Sequence, residues 1–167
     1  VEGHLLARQA EIEQWFRAQW LATPPPFYAS VDLRNSGFKL APVDTNLFPA
    51  GFNNLNPAFQ PLCIQAIQAA VERFCPRACG ILVVPESHTR NIYYLENLAS
   101  FIHLLELAGF QVHVGSLLPE ITAPQTISLP SGRQITLHPL TRDGNKIKVG
   151  GHAPCFVLLN NDLSGGV

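Results

Sequence analysis

The run Gly80-Ile81-Leu82-Val83-Val84 is the feature that most restricts what this chain can fold into. A short, uninterrupted apolar run rich in β-branched residues reads as a strand buried on both faces. A polar loop follows, Pro85 to Asn91, and then a helical pattern over 92–108. In that helix Ile92, Leu95, Leu98, Ala99, Ile102 and Leu105 point inward, and Gly109 terminates it. Phe110-Gln111-Val112-His113-Val114 supplies the next strand. Strand, helix and strand at this spacing make a βαβ unit, with parallel strands and a right-handed crossover. Cys155 to Leu159 is another buried strand. The fold class predicted is α/β, with a mainly parallel sheet flanked by helices.

The flanks fit that frame. Residues 4–21 read as an amphipathic helix, with Ile12, Trp15, Phe16 and Trp20 on one stripe. Thr23-Pro24-Pro25-Pro26 ends it, because proline cannot continue a helix. Residues 1–26 are therefore a helical lead-in. Ala29–Leu33 and Phe38–Val43 read as short strands. A second helix is expected over 57–74, capped by Asn56 and opened by Pro57. Its stripe is Phe59, Cys63, Ala66, Ile67, Ala70, Val71 and Phe74. Residues 125–140 alternate polar and apolar around Pro130-Ser131-Gly132-Arg133, which reads as an added β-hairpin with one wet face.

Composition sets the limits. The chain has 167 residues, 47% hydrophobic and 14% charged. That suits a single domain spanning 1–167, and the charged fraction is well below the usual ~25%. Apolar surface is thus expected to be covered by the rest of its own chain or by a homo-oligomer. A net charge of −1 gives no electrostatic case for nucleic acid or an anionic membrane. No apolar run approaches the ~18 residues of a membrane span. No signal peptide is visible, and Cys63, Cys75, Cys79 and Cys155 read as reduced, buried thiols, so a cytoplasmic protein is expected. Cys75-x3-Cys79 has no matching Cys or His pair at ligand spacing, so no metal site is assigned. The sequence has no Met and closes in a polar, Gly-rich turn. It reads as the N-terminal part of a longer protein, or as one from which methionines were left out.

Three polar stretches are candidate binding elements. Tyr28 to Pro57 holds Arg34, Asp44, Thr45, Asn46, Asn53 and Asn54 among Gly and Pro. Carboxylates suit an ammonium group and amides suit a carboxylate, as an α-amino acid requires. The alternative is a run of Asx turns. Glu86, His88, Arg90 and Asn91 open the helix after the first buried strand, where free N–H groups and Arg90 favour an anion. The alternative is a capping loop. Asn160, Asn161 and Asp162 follow the last strand directly, either as ligand acceptors or as a turn. Ligands of such sheets bind beyond the strands' carboxyl ends, which places the second and third stretches side by side. His103, His113, His138 and His152 are expected not to cluster and read as structural or surface residues. No phosphate-loop, nucleophile-elbow or zinc motif occurs, so no catalytic residue is assigned.

The run VDLRNSGFKLAPVDTNLFPAGFNNL resembles the proteobacterial type of glutamate–cysteine ligase, most specifically in DTNLFPAGFNNL. The resemblance extends more loosely through VVPESHTRNIYYLENL and VLLNNDLSGGV. It implies an ATP-grasp-like protein in which this part is the Rossmann-like, pre-ATP-grasp, substrate-side domain. It also implies ATP- and Mg2+-dependent joining of glutamate to cysteine, with the ATP-binding part beyond 167. The segment alone would then be inactive. The reading from another class is a non-catalytic α/β small-ligand-binding or scaffold domain.

Overall fold

The structure is a computed structural model that describes residues 1–87 and 90–161. The chain divides into two compact units, Val1–Pro49 and Ala50–Val167.

In the first unit, α1 (Glu2–Ala7) and α2 (Gln9–Ala22) take the place of the single helix expected over 4–21. The interruption is at Arg8, whose backbone leaves helical angles (φ −115°, ψ 17°). On α2 the Trp15 ring meets Phe16 edge-on at 5.1 Å and Phe16 stacks on Trp20 at 5.6 Å, centroid to centroid, and Trp15 remains 58% exposed. β1 (Ser30–Asn35) and β2 (Leu40–Asn46) pair antiparallel. Their turn is closed by Asn35, whose Oδ1 accepts the Gly37 N–H at 2.8 Å, and Gly37 takes the left-handed φ of 89° that favours glycine. The register shifts after Asp32, where β2 carries one extra residue, Val43.

The second unit opens with two 3-10 turns, Phe52–Asn54 and Pro57–Phe59. Asn56 caps the second as expected, its side chain accepting the Ala58 N–H at 3.0 Å. α3 (Gln60–Phe74) follows, but only Val71 of its predicted stripe is fully buried, and Phe59 and Phe74 stand open. β3 (Gly80–Pro85), α4 (Ile92–Leu107) and β4 (Gln111–Ser116) form the predicted βαβ unit, with β3 and β4 parallel. α4 starts at Asn91, whose Oδ1 accepts the Tyr94 N–H at 3.2 Å. It ends in a Schellman motif: Gly109 at φ 95° bonds to the Glu106 carbonyl, and the Phe110 N–H reaches Leu105. Ile81, Leu82 and Val83 have 0% exposure, so each contributes about 2 kcal/mol by burial.

β5 (Gln125–Ser128), β6 (Gln134–Asp143), β7 (Lys146–Val149) and β8 (Phe156–Asn160) complete the sheet. Its order is β5-β6-β4-β3-β8, with β7 pairing to β6. The hairpin read as an addition is continuous with the sheet, because β6 runs parallel to β4 from Leu137 to Pro139. The same strand pairs antiparallel with β5 before that point and with β7 after it. Leu82 and Val84 pack with Val149 and Leu140. Gly115 lies between them, since a Cβ there would fall within 3 Å of the side chains of Leu140 and Leu82. No helix among the described residues is long and apolar enough to cross a membrane.

Candidate functional site

Parallel pairing of β3 and β8 sets Pro85 opposite Asn160, so the two polar loops expected at strand ends do meet. Tyr94, in the first turn of α4, joins them. Its hydroxyl accepts the Glu86 N–H at 2.8 Å and donates to Asn160 Oδ1 at 3.1 Å. Asn161 donates from Nδ2 to the Pro85 carbonyl at 3.1 Å. Asn160 and Asn161 are 3% and 6% exposed, so these bonds are made out of water, where a polar group needs its partner. Asn91 serves as the α4 cap, and Arg90 lies exposed beside it. His88 and Asp162 lie outside the described residues. A space of about 10 Å³, room for a single water, lies on the other side of Pro85 and Glu86, against Leu95, Leu98 and Ser116.

The residues of the long polar stretch separate by unit. Arg34 lies on β1, and Asp44, Thr45 and Asn46 lie on β2. Asp44 Oδ1 accepts the N–H of the next residue, Thr45, at 2.9 Å, and Asn46 Oδ1 accepts the Phe48 N–H two residues on at 2.7 Å, the bond of an Asx turn. Asn53 and Asn54 belong to the first 3-10 turn of the second unit. That turn is pinned to α4 by Asn97, whose Oδ1 accepts both the Gly51 N–H at 2.7 Å and the Phe52 N–H at 2.8 Å. Phe52 stacks on Phe101 one turn further along, with centroids 4.4 Å apart.

Pinning the turn opens a groove of about 440 Å³ between it, α4 and the β5–β6 turn. Asn53, Gln60, Glu96, Ser100, His103 and Arg133 are among its lining residues. Glu96, Ser100 and His103 share one face of α4 by their i, i+4, i+7 spacing. Glu96 Oε1 accepts the Ser131 N–H at 2.9 Å, and Arg133 Nη1 donates to Ser100 Oγ at 2.9 Å. Hydrogen bonds from Ser131, and more weakly the Arg133 charge, hold the Glu96 carboxyl below its usual range.

Sequence reasoning missed Tyr94, Glu96, Asn97, Ser100 and Arg133. The signal available was on α4: Asn97 interrupts the apolar stripe, and three polar residues recur at helical spacing beside it. The histidine reading is corrected as well. His113 lies 6.0 Å from His138 and 5.9 Å from His152, ring centre to ring centre. Residues distant in sequence meet because β4 and β6 pair and the turn after β7 folds back to bridge Val149 to His152. Burial, and then the charges of His138 and His152, push His113 below the ordinary histidine range. The thiols also depart from expectation, since Cys79 and Cys155 are exposed. Among the described residues no group of three His, Cys, Asp or Glu side chains could hold a metal ion.

Comparison with known proteins gives the geometry a family. Residues 2–167 match the family model GshA, glutamate–cysteine ligase. The chain is also similar to a crystal structure from Methylobacillus flagellatus KT, named there as a candidate gamma-glutamylcysteine synthetase. The two share 56% identity over 98% of this chain, with a TM-score of 0.89. The chain spans 38% of that protein's length. No curated protein matches it. A family model that covers nearly every residue is decisive: the chain belongs to the glutamate–cysteine ligase family.

Proposed function

We propose that this chain is the amino-acid-binding part of a glutamate–cysteine ligase of the cytoplasm. The reaction joins the γ-carboxylate of L-glutamate to the amine of L-cysteine, driven by ATP, as the first step of glutathione biosynthesis. The observation that carries this reading is the family match over residues 2–167. The described residues contribute binding and positioning. Ligation of this kind depends on holding two substrates in register and neutralising charge rather than on a protein nucleophile. ATP and magnesium are assigned to the part of the longer protein beyond residue 167. The proposed substrate contacts are Arg34, Asp44, Thr45 and Asn46 in the first unit. In the second they are Asn53 and Asn54, with Glu86, Arg90, Asn91, Asn160 and Asn161 at the strand ends.

The test is ADP release by the full-length protein with each amino acid alone and with both. Release that needs both amino acids supports the reading. Equal release with and without them, or none under any condition, removes it. Asp44→Ala and Asn54→Ala are expected to lower kcat/KM at least tenfold while the protein stays folded by circular dichroism. Unchanged turnover in both would favour a scaffold role instead.

A further inference from the structure

The groove beside α4 holds two opposite charges that do not close into an ion pair. Carboxylate and guanidinium groups on one surface commonly close into an ion pair. The ion pairs found among the described residues, Arg8–Glu11 and Lys148–Asp143, involve neither Glu96 nor Arg133. Each of these two is held instead by a neutral partner, Glu96 by the Ser131 N–H and Arg133 by Ser100 Oγ. Ser100 lies one helical turn after Glu96, and Ser131 lies two residues before Arg133, so the same two elements fix both charges. A carboxylate has about four lone-pair sites and a guanidinium five N–H donors. Ser131 donates to Glu96 from its backbone and its side chain, and Arg133 gives one bond to Ser100, so both groups keep capacity for a ligand.

We propose that this groove takes a free α-amino acid, its ammonium on Glu96 and its carboxylate on Arg133. The volume, about 440 Å³, admits an amino acid with its side chain, and Asn53, Gln60 and His103 offer polar contacts to that side chain. Arg133 can receive the carboxylate through a pair of parallel N–H bonds. The proposal deepens the ligase reading and rests on it for the choice of L-glutamate and L-cysteine as probes.

Calorimetric titration of the full-length protein tests it, using L-glutamate, L-cysteine, their N-acetyl derivatives and their α-carboxamides. One of the two parent amino acids is expected to bind. Removing the ammonium or the carboxylate charge should weaken that amino acid about tenfold or more, the equivalent of one charge-assisted hydrogen bond. Glu96→Gln is expected to erase the penalty for N-acetylation and keep the penalty for amidation, and Arg133→Gln to do the reverse. Glu96 is half-buried and Arg133 exposed, so the variants should fold, and a thermal melt checks this. Binding that is unaltered in both variants, or no binding of either amino acid, overturns the proposal. ADP release separates this result from the parent reading. Full turnover with unchanged KM in both variants removes the groove and leaves the ligase. Charge-dependent binding without turnover supports the groove and removes the ligase.

Discussion

Asn97 shows what a single polar residue does inside an apolar helix face. It is 3% exposed, and its one oxygen satisfies two backbone N–H groups of the turn that carries Asn53. Asn97→Ala leaves both N–H groups without that acceptor, and each such loss in a buried setting costs about 1–3 kcal/mol. Urea denaturation of this variant is expected to show a loss of at least about 2 kcal/mol, and a midpoint equal to the parent's would contradict the assignment. Cys155 gives a second outcome at this scale. Hydrogen bonds from the Cys79 and Gly80 backbones and then from the Cys79 side chain stabilise its thiolate and lower its pKa. Cys155 is expected to react with iodoacetamide at neutral pH faster than half-buried Cys63, read by mass spectrometry of digests. Slower modification of Cys155 would remove the idea. The residues that sequence reasoning brought together, Glu86 with Asn160 and Asn161, were legible through a rule about strand ends. Tyr94 and Asn97 were not, because Asn160 lies 66 positions from Tyr94 and Gly51 and Phe52 lie 46 and 45 positions from Asn97, and no local pattern announces them.

At the scale of elements, legibility followed the completeness of the local signal. β3, α4 and β4 each carry a full pattern and a clear stop, and all three formed within a residue or two of expectation. The role of β6 did not show. Its alternation fits a hairpin strand, and nothing in the residues says that its middle joins a parallel sheet. That pairing also assembles the histidines, with a measurable consequence. His113 in the folded chain has a pKa below the ordinary value of 6.5, so the unfolded chain takes up the proton first. Stability is therefore complete above about pH 6.5 and falls as the pH drops from there towards the lowered folded value. The melting temperature is expected to hold above about pH 6.5 and to decline as the pH falls below it. His113→Asn should decline less. Equal slopes for the two proteins would show that the cluster does not control the effect.

For the whole molecule, the low charged fraction pointed to apolar surface that something else covers. The rings of α2 stand open, and on β8 Val157 and Leu159 share the face of Leu82 and Val84 yet remain about two-fifths exposed. The chain spans 38% of the length of its structural neighbour. Residues 1–167 alone are expected to release no ADP with glutamate, cysteine, ATP and magnesium, measured by a coupled assay beside the full-length protein. Turnover by the short form would place the nucleotide chemistry inside it. A last consequence follows from α4. Tyr94 near its start ties the strand ends, and Glu96, Asn97, Ser100 and His103 over the next two turns build the groove. A helix is a stiff rod that advances 1.5 Å and turns 100° per residue, so inserting or deleting one residue turns every later side chain away from its target. Clasp and groove therefore share one register, and neither can drift, be redesigned or be transplanted to another scaffold without the other.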